Sequence, residues 1–220
     1  MNVLVVVAHS DDEILGCGGS IAKHIRNGDT VHLLVMTDGV GARSNSNIDD
    51  INSRSSSLYK SCENLGIRDF HQENFPDNEM DTISLLSIVR TIESYAKAIK
   101  PEIIYTHSNK DLNIDHQITH RAVLTAFRPQ PDSSVRTIYG FEVLSSTEWS
   151  TIPFEPTAFN ILSEQDISIL MKSLEIYSDE IRESPHSRSS ENFERILKVR
   201  GSTIGVDYAE AFEVYRDIIK

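Results

Sequence analysis

Imidazoles and carboxylates gather in two short stretches of this 220-residue sequence, His9-Ser10-Asp11-Asp12-Glu13 and the run from Thr106 to His120. His9 and Asp12 stand three apart, so a tight turn can aim both at one metal ion. His116, in the second stretch, offers a third donor. Two imidazole nitrogens, one carboxylate oxygen and an open fourth position make the ligand set of a catalytic zinc site. Asp11 adjoins the ligand Asp12 but points elsewhere, free to take a proton from a metal-activated water. Asp115, beside His116, suits an outer role in which it orients an imidazole. Glu13 fits either that outer role or a helix-start carboxylate complementing the helix dipole. Each stretch alone has an ordinary structural explanation. Chemistry follows only if the fold brings the two together.

The flanking pattern says that it does. Val3–Ala8 is a continuous apolar, mostly β-branched run, as in a strand buried on both faces. A helix over Leu15–Arg26, closed by Asn27-Gly28, is followed by a second strand, Val31–Met36. Gly41–Ser57 is rich in Gly, Ser, Asn and Asp and reads as a loop bordering the pocket. A helix to about Asn64, a short strand near Arg68–Phe70, a helix over Thr82–Ile99 and a strand over Glu102–Thr106 come next. Asp115–Phe127 reads as a helix, Val135–Val143 and Ala158–Leu162 as strands. Ser163 caps a helix reaching about Arg182, and Asn192–Arg200 and Tyr208–Ile218 read as helices. This alternation implies a Rossmann-like three-layer α/β fold with a mostly parallel central sheet. In the usual doubly wound order the first and fourth strands are neighbours, and ligands sit beyond their carboxyl ends. Residues after Ala8 and after Thr106 therefore face one crevice.

Composition narrows the function. Lys and Arg number 21 against 33 Asp and Glu, a net charge of −12. Such a surface repels nucleic-acid backbones and anionic membranes. No apolar run approaches the roughly 18 residues that span a bilayer, and no basic stretch precedes the first strand. The expectation is a cytoplasmic protein with no membrane anchor and no nucleic-acid partner. Two cysteines, Cys17 and Cys62, fit free thiols in a reducing compartment. Gly16, Gly18 and Gly19 give G-x-G-G rather than the dinucleotide fingerprint, and suit close packing of the first helix on the sheet.

The first cluster, followed by these glycines, resembles the A-H-P-D-D-E motif of the PIG-L/LmbE-like family of zinc-dependent N-acetylglucosaminyl deacetylases. Asp111-x-Asn113-x-Asp115-His116 resembles that family's second metal motif. Thr37-Asp38-Gly39, Arg54 before a helix ending Leu65-Gly66-Ile67, Asp77-Asn78 and the tail from Arg200 to Phe212 are also similar, so the resemblance spans nearly the whole chain. It implies one deacetylase domain over 1–220, with a catalytic core of about 1–130 and a pocket completed by the C-terminal strands and helices. It also implies His9, Asp12 and His116 on Zn2+ (another divalent metal remaining open) and Asp11 as general base. Ser10 stands where the family commonly has Pro. Asn113 stands where well-known branches carry an oxyanion-stabilising histidine. Asn113 and the strand-end His107 are therefore the expected catalytic helpers.

Arg43, Arg54 and Arg200 are the expected substrate-binding cations, with surface ion pairing as their ordinary alternative. Trp149 suits a sugar face or simple packing, Glu142 a sugar hydroxyl, His120 a pocket or half-exposed helix position. Cys17 reads as a small buried residue, and His186 is assigned no role. The expected function is removal of the N-acetyl group from an amino sugar of GlcNAc type, free, glycosidic or nucleotide-linked, with release of acetate. The alternatives are an amidase for another amide of a sugar conjugate and a non-catalytic sugar-binding module. A homo-oligomer is left open.

Overall fold

The computed structural model describes residues 1–39 and 48–219. Seven strands form one sheet: β1 (Asn2–Val7), β2 (Thr30–Thr37), β3 (Asp69–Phe75), β4 (Ile103–His107), β5 (Thr137–Phe141), β6 (Ala158–Ile161) and β7 (Ala209–Asp217). Their order is β3-β2-β1-β4-β5-β7-β6. The first five run parallel, and β7 lies antiparallel between β5 and β6. Helices α1 (Asp12–Arg26), α2 (Ile48–Leu65), α3 (Leu85–Ile99), α4 (Ile114–Ala126), α5 (Glu164–Ile176) and α6 (Ser190–Thr203) cover both faces.

The two-residue period of β1 decides which helices go where. Val3, Val5 and Val7 point into a core shared with α1, α2, α5 and α6, while Leu4 and Val6 point into a second core shared with α3 and α4. These five side chains are wholly buried, and together they contribute several kcal/mol at roughly 1.5–3 kcal/mol per buried aliphatic side chain. The fold is the three-layer α/β architecture read from the alternation of elements.

Several elements differ from the sequence reading, four of them with an instructive cause. The structure begins α2 at Ile48, so residues 48–57, expected in a loop, are helical. Their Ser and Asn content marks a weak helix former, and packing on the core through Leu58, Cys62 and Leu65 overrides that preference. Residues 40–47 of that expected loop lie outside the described residues. Helix α3 begins at Leu85 because the Ser84 hydroxyl accepts the Ser87 N–H at 3.2 Å, and a 3-10 turn over Met80–Thr82 precedes it. Ser163 does cap α5, in a reciprocal capping box with Asp166, but the helix stops at Ile176 rather than near Arg182. Ala209–Asp217, within the stretch 208–218 expected as a helix, form β7. Ala209 through Glu213 are all buried, since both faces of β7 are covered and both edges paired. That removes the polar–apolar alternation that marks a strand, and the Ala/Glu content suggests a helix.

One carboxylate joins β7 to α1. Helix α1 breaks its regular dihedrals at Cys17 (φ −153°, ψ 24°). The break leaves backbone donors without intrahelical acceptors. Glu210 of β7 accepts the Gly19 and Ser20 N–H groups, each at 2.7 Å. Close approach of α1 to the sheet needs Gly16, where an added Cβ would stand 2.2 Å from the Phe141 ring. Burial lifts the Glu210 carboxyl to about 7, against the opposing pull of its N–H donors.

Glu210→Ala should destabilise the protein by about 1–3 kcal/mol, the cost of orphaning buried donors. A glutamate raised from its ordinary 4.5 stabilises the fold most below that value and loses the contribution as pH rises towards the folded-state pKa. The wild type loses this contribution between about pH 4.5 and 7 and the variant has none to lose, so the gap should be wider at pH 5 than at pH 8. Urea unfolding of both proteins at the two pH values checks this, and equal gaps refute it.

Candidate metal centre and active-site cleft

Strands β1 and β4 are adjacent, so the segments following them meet. His9 and Ser10 leave β1, and α1 starts at Asp12. The whole reversal falls on Asp11, whose φ of 122° lies where side chains other than glycine are strained. The Asp11 N–H donates to Glu13 Oε2 at 2.9 Å, while Glu13 Oε1 accepts the hydroxyls of Ser61 (3.1 Å) and Tyr177 (2.8 Å). Glu13 is wholly buried and burial lifts it to about 7. It is a clamp on the turn. On the other side, Asn113 is the N-cap of α4, its side-chain oxygen accepting the N–H groups of Asp115 (2.8 Å) and His116 (3.3 Å). The cap sets His116 in the first turn of α4, facing the β1 turn.

Three donor atoms converge there. His9 Nδ1 lies 3.2 Å from Asp12 Oδ2 and 3.2 Å from His116 Nε2, and His116 Nε2 lies 3.3 Å from Asp12 Oδ2. The triangle is nearly equilateral. A tetrahedral ion with bonds of roughly 2.0–2.1 Å to such ligands has donor–donor edges of about 3.3–3.4 Å. The three atoms thus match one face of a tetrahedron.

The proton arrangement fits as well. His9 Nε2 sits 3.1 Å from Asp115 Oδ2 and 3.2 Å from Asp77 Oδ1, so the proton belongs on Nε2 and the Nδ1 lone pair faces the triangle. His116 Nδ1 lies 3.0 Å from Asp111 Oδ1, an ion-pair approach rather than an aligned hydrogen bond, and leaves Nε2 to the triangle. Asp111 is itself held by the hydroxyls of Ser146 and Thr147, the latter at 2.5 Å. Asp115 accepts the backbone N–H groups of Asn78 (2.6 Å) and Met80 (3.0 Å).

Charge tells the same story. Burial drives the His9 imidazolium down, but hydrogen bonds to Asp115, Asp12 and Asp77 overcome it and hold its pKa well above the ordinary value. His116 is raised to about 9, its burial outweighed by Asp12 and Asp111. Against its own burial, Asp12 is held well below the carboxylate range by His116 and His107. Carboxylates crowd two imidazoles in a buried space, a field that draws in positive charge. A divalent cation satisfies it while leaving each ring the single outward proton its neighbours demand.

Asp11 faces the same cleft, an open space of about 690 Å³ lined by His9, Asp11, Asp12, Arg54, Asp77, Asn113, His116, Ser146, Glu180 and Arg188, among others. Its Oδ2 lies 3.1 Å from Arg54 Nη2 and 3.3 Å from Arg188 Nη1. Arg54 also pairs with Glu180 at 2.7 Å and donates to Ser10 Oγ at 2.9 Å. Burial raises the Asp11 pKa although the two guanidinium groups pull it down.

Of the residues singled out from sequence, the structure brings His9, Asp11, Asp12, His116, Asn113 and Arg54 to this cleft. Arg43 lies outside the described residues. Arg200, expected at the substrate, does not line the cleft. It forms a bidentate pair with Glu142 at 2.7–2.9 Å and lies over the Phe154 ring. Glu142, in turn, is spent on Arg200 rather than on a sugar. His107, expected to exchange a proton with substrate, is fully buried behind the triangle. Its ring stacks on His116 at 3.9 Å between centroids, and Nε2 accepts the Ala8 N–H at 2.9 Å. That places it as a support for His116. Asn113 spends its oxygen on the cap and its amide on Asn78 Oδ1 at 2.9 Å. His120 donates to or accepts nothing in the cleft and holds the His107 carbonyl at 3.0 Å. Cys17 is buried in the core.

Arg188 and Glu180 escaped the sequence reading. They lie in an irregular polar segment between α5 and α6, where no periodicity marks a functional position. Asp77 carried one weak signal, the Asp-Asn pair at 77–78.

An open parallel sheet with its cleft at the β1/β4 switch point, and a His/Asp/His cluster able to hold a metal, define a class of α/β hydrolytic sites. A family model described as PIG-L, GlcNAc-PI de-N-acetylase, matches residues 4–127, and the chain belongs to that family. An uncharacterized deacetylase, YaiS, of Escherichia coli is 29% identical over 177 residues, 78% of this chain and 88% of that protein. A probable N-acetyl-alpha-D-glucosaminyl L-malate deacetylase of Bacillus cereus is 27% identical over 170 residues, 74% of this chain and 76% of that protein. The fold is also that of the N,N'-diacetylchitobiose deacetylase of Pyrococcus horikoshii, with a TM-score of 0.79 at 18% identity, covering 98% of this chain and 84% of that one. No helix among the described residues is long and apolar enough to cross a membrane.

The donor triangle predicts one tightly bound divalent ion per chain. His116→Ala should abolish tight binding, because two ligands hold such an ion poorly, and Asp115→Asn should weaken it about 10- to 100-fold through the lost grip on His9. Metal analysis after dialysis and calorimetric titration measure both. Full occupancy in His116→Ala would overturn the assignment.

Proposed function

We propose that the chain is a metal-dependent N-deacetylase that releases acetate from an N-acetylated amino sugar of GlcNAc type, with zinc as its resident ion. The observation that carries the reading is the triangle of His9 Nδ1, Asp12 Oδ2 and His116 Nε2, with edges of 3.2–3.3 Å, in the same cleft as the buried carboxylate of Asp11. Family membership and the deacetylase names of the relatives in Escherichia coli and Bacillus cereus support it. One catalytic unit spans the chain: the first 130 residues supply the ligands and base, and Ser145, Ser146, Glu180 and Arg188 complete the cleft from the remainder.

A divalent ion held by His9, Asp12 and His116 supplies Lewis-acid polarisation of the acetamide carbonyl and lowers the pKa of water. Asp11 accepts the proton of the attacking water at its carboxylate and returns it to the leaving nitrogen. Burial makes that carboxylate a stronger base than an exposed one, and Arg54 and Arg188 fix its orientation through Oδ2. Glu180 balances the two guanidinium groups, so the quartet stays near neutral. Asp115 holds the outward proton of His9 and Asp111 faces Nδ1 of His116, which keeps both lone pairs on the same point.

Zinc-loaded protein should release acetate from N-acetylated amino sugars, measured by an enzyme-coupled acetate assay. Asp11→Asn should retain the ion and lose about 100- to 10,000-fold in kcat, the usual worth of a positioned base. Loss of the ion in Asp11→Asn together with its retention in Asp12→Asn would show that the two carboxylates have been assigned in reverse.

A further inference from the structure

Trp149, the single tryptophan of the chain, is 55% exposed. An indole left in water needs a reason, because its large apolar face is stabilised by burial. Its mount is rigid. The 3-10 turn Thr147–Trp149 is closed by Trp149 N–H to Ser146 O at 3.2 Å and Thr147 N–H to Val143 O at 2.9 Å. Ser146 and Thr147 both donate their hydroxyls to Asp111, the carboxylate that faces the ligand His116. Ser145 and Ser146 line the cleft, and the turn carrying the indole follows directly from them.

The polar segment between α5 and α6 meets the indole. The His186 ring stands edge-on to the indole, 6.2 Å between centroids and tilted by 82°, so the histidine props the ring without covering both faces. Two residues on, Arg188 lines the cleft. It places Nη1 against Asp11 and Glu180, and its Nε–H is buried away from the cleft. An apolar ring face beside a guanidinium of the cleft lining is the chemistry that holds a pyranose: axial C–H groups lie on the indole and hydroxyls bond the guanidinium.

We infer that Trp149, propped by His186 and flanked by Arg188, is a platform for a second sugar ring, so that the substrate is a glycan carrying a pyranose beyond the acetamido sugar and not a free monosaccharide. The inference rests on the proposed deacetylase reading for the identity of the first sugar. The indole is specific for the ring next to the one deacetylated and takes no part in the proton transfers.

Because Trp149 is the single tryptophan, its emission reports occupancy of the platform without turnover. Titrating the zinc-loaded protein with N,N'-diacetylchitobiose should quench or shift that emission, and N-acetylglucosamine at equal concentration should change it far less. In kinetics, wild type should favour the disaccharide over the monosaccharide by about tenfold or more in kcat/KM, the worth of a buried aromatic contact. Trp149→Ala should bring the ratio near one through KM, and Trp149→Phe should restore most of it. An unchanged ratio in Trp149→Ala, or emission indifferent to both sugars, overturns the platform. Absence of acetate release from every sugar, with emission still answering to the disaccharide, supports the platform and sinks the deacetylase reading instead.

Discussion

Everything in this cleft answers to the cost of burying like charge. Asp12, Asp77, Asp111 and Asp115 are all buried within reach of His9 and His116. Isolated carboxylates taken out of water cost several kcal/mol each. Two imidazoles cannot neutralise four of them and still offer lone pairs to one point. The arrangement becomes economical when a cation occupies the triangle, since each outer carboxylate then bonds a ring proton or backbone amide and Asp12 bonds the ion. Burial here selects the ligand state as much as it shields the chemistry.

That constraint fixes the neighbouring elements. Parallel pairing of β1 with β4 puts His9 and His116 on one crevice, and the caps do the fine placement. Asn113 starts α4 so that His116 enters in the first turn, and Asp12 starts α1 while its carboxylate also accepts the His9 N–H at 2.8 Å. Helix α1 can begin that early and still pack on the sheet because it breaks at Cys17, where Glu210 of β7 takes up the freed amides. The last strand of the chain is thereby coupled to the first helix of the site.

Much of this was legible in the residues. The apolar runs at Val3–Ala8 and Val31–Met36 are buried parallel strands, and the switch-point rule brought His9 and His116 together before any coordinates. Ser163 carried a readable helix start, whereas Asn113, expected as a catalytic helper, is the cap of α4. The failures have physical causes. The strand at 209–217 lies in mid-sheet with both faces covered, so its period is invisible and its Ala and Glu content misleads. The start of α2 is set by Leu58, Cys62 and Leu65 packing on the core, which outweighs the serines that precede them. Arg200 was expected at the substrate and Arg188 was passed over, because an arginine's role depends on which carboxylate the fold places beside it. For Arg200 that is Glu142, and for Arg188 it is Asp11.

The turn at Asp11 shows how the fold holds its chemistry in place. A φ of 122° costs of order 1–3 kcal/mol in a residue with a side chain, and a glycine would relax it. Strain of this kind persists only where surrounding contacts over-determine it. Here the over-determination is visible: Glu13 holds the Asp11 amide, Ser61 and Tyr177 hold Glu13, and Arg54 and Arg188 hold the Asp11 carboxylate. Glu13 is not aimed at the cleft, and its burial serves no proton transfer. Its function is to keep Asp11 in a conformation that only a glycine would adopt freely, with a carboxylate that a glycine lacks. Asp11 and Asp12 are adjacent in sequence, and the positive φ between the strand and the helix lets the first carboxylate meet the two guanidinium groups while the second joins the donor triangle.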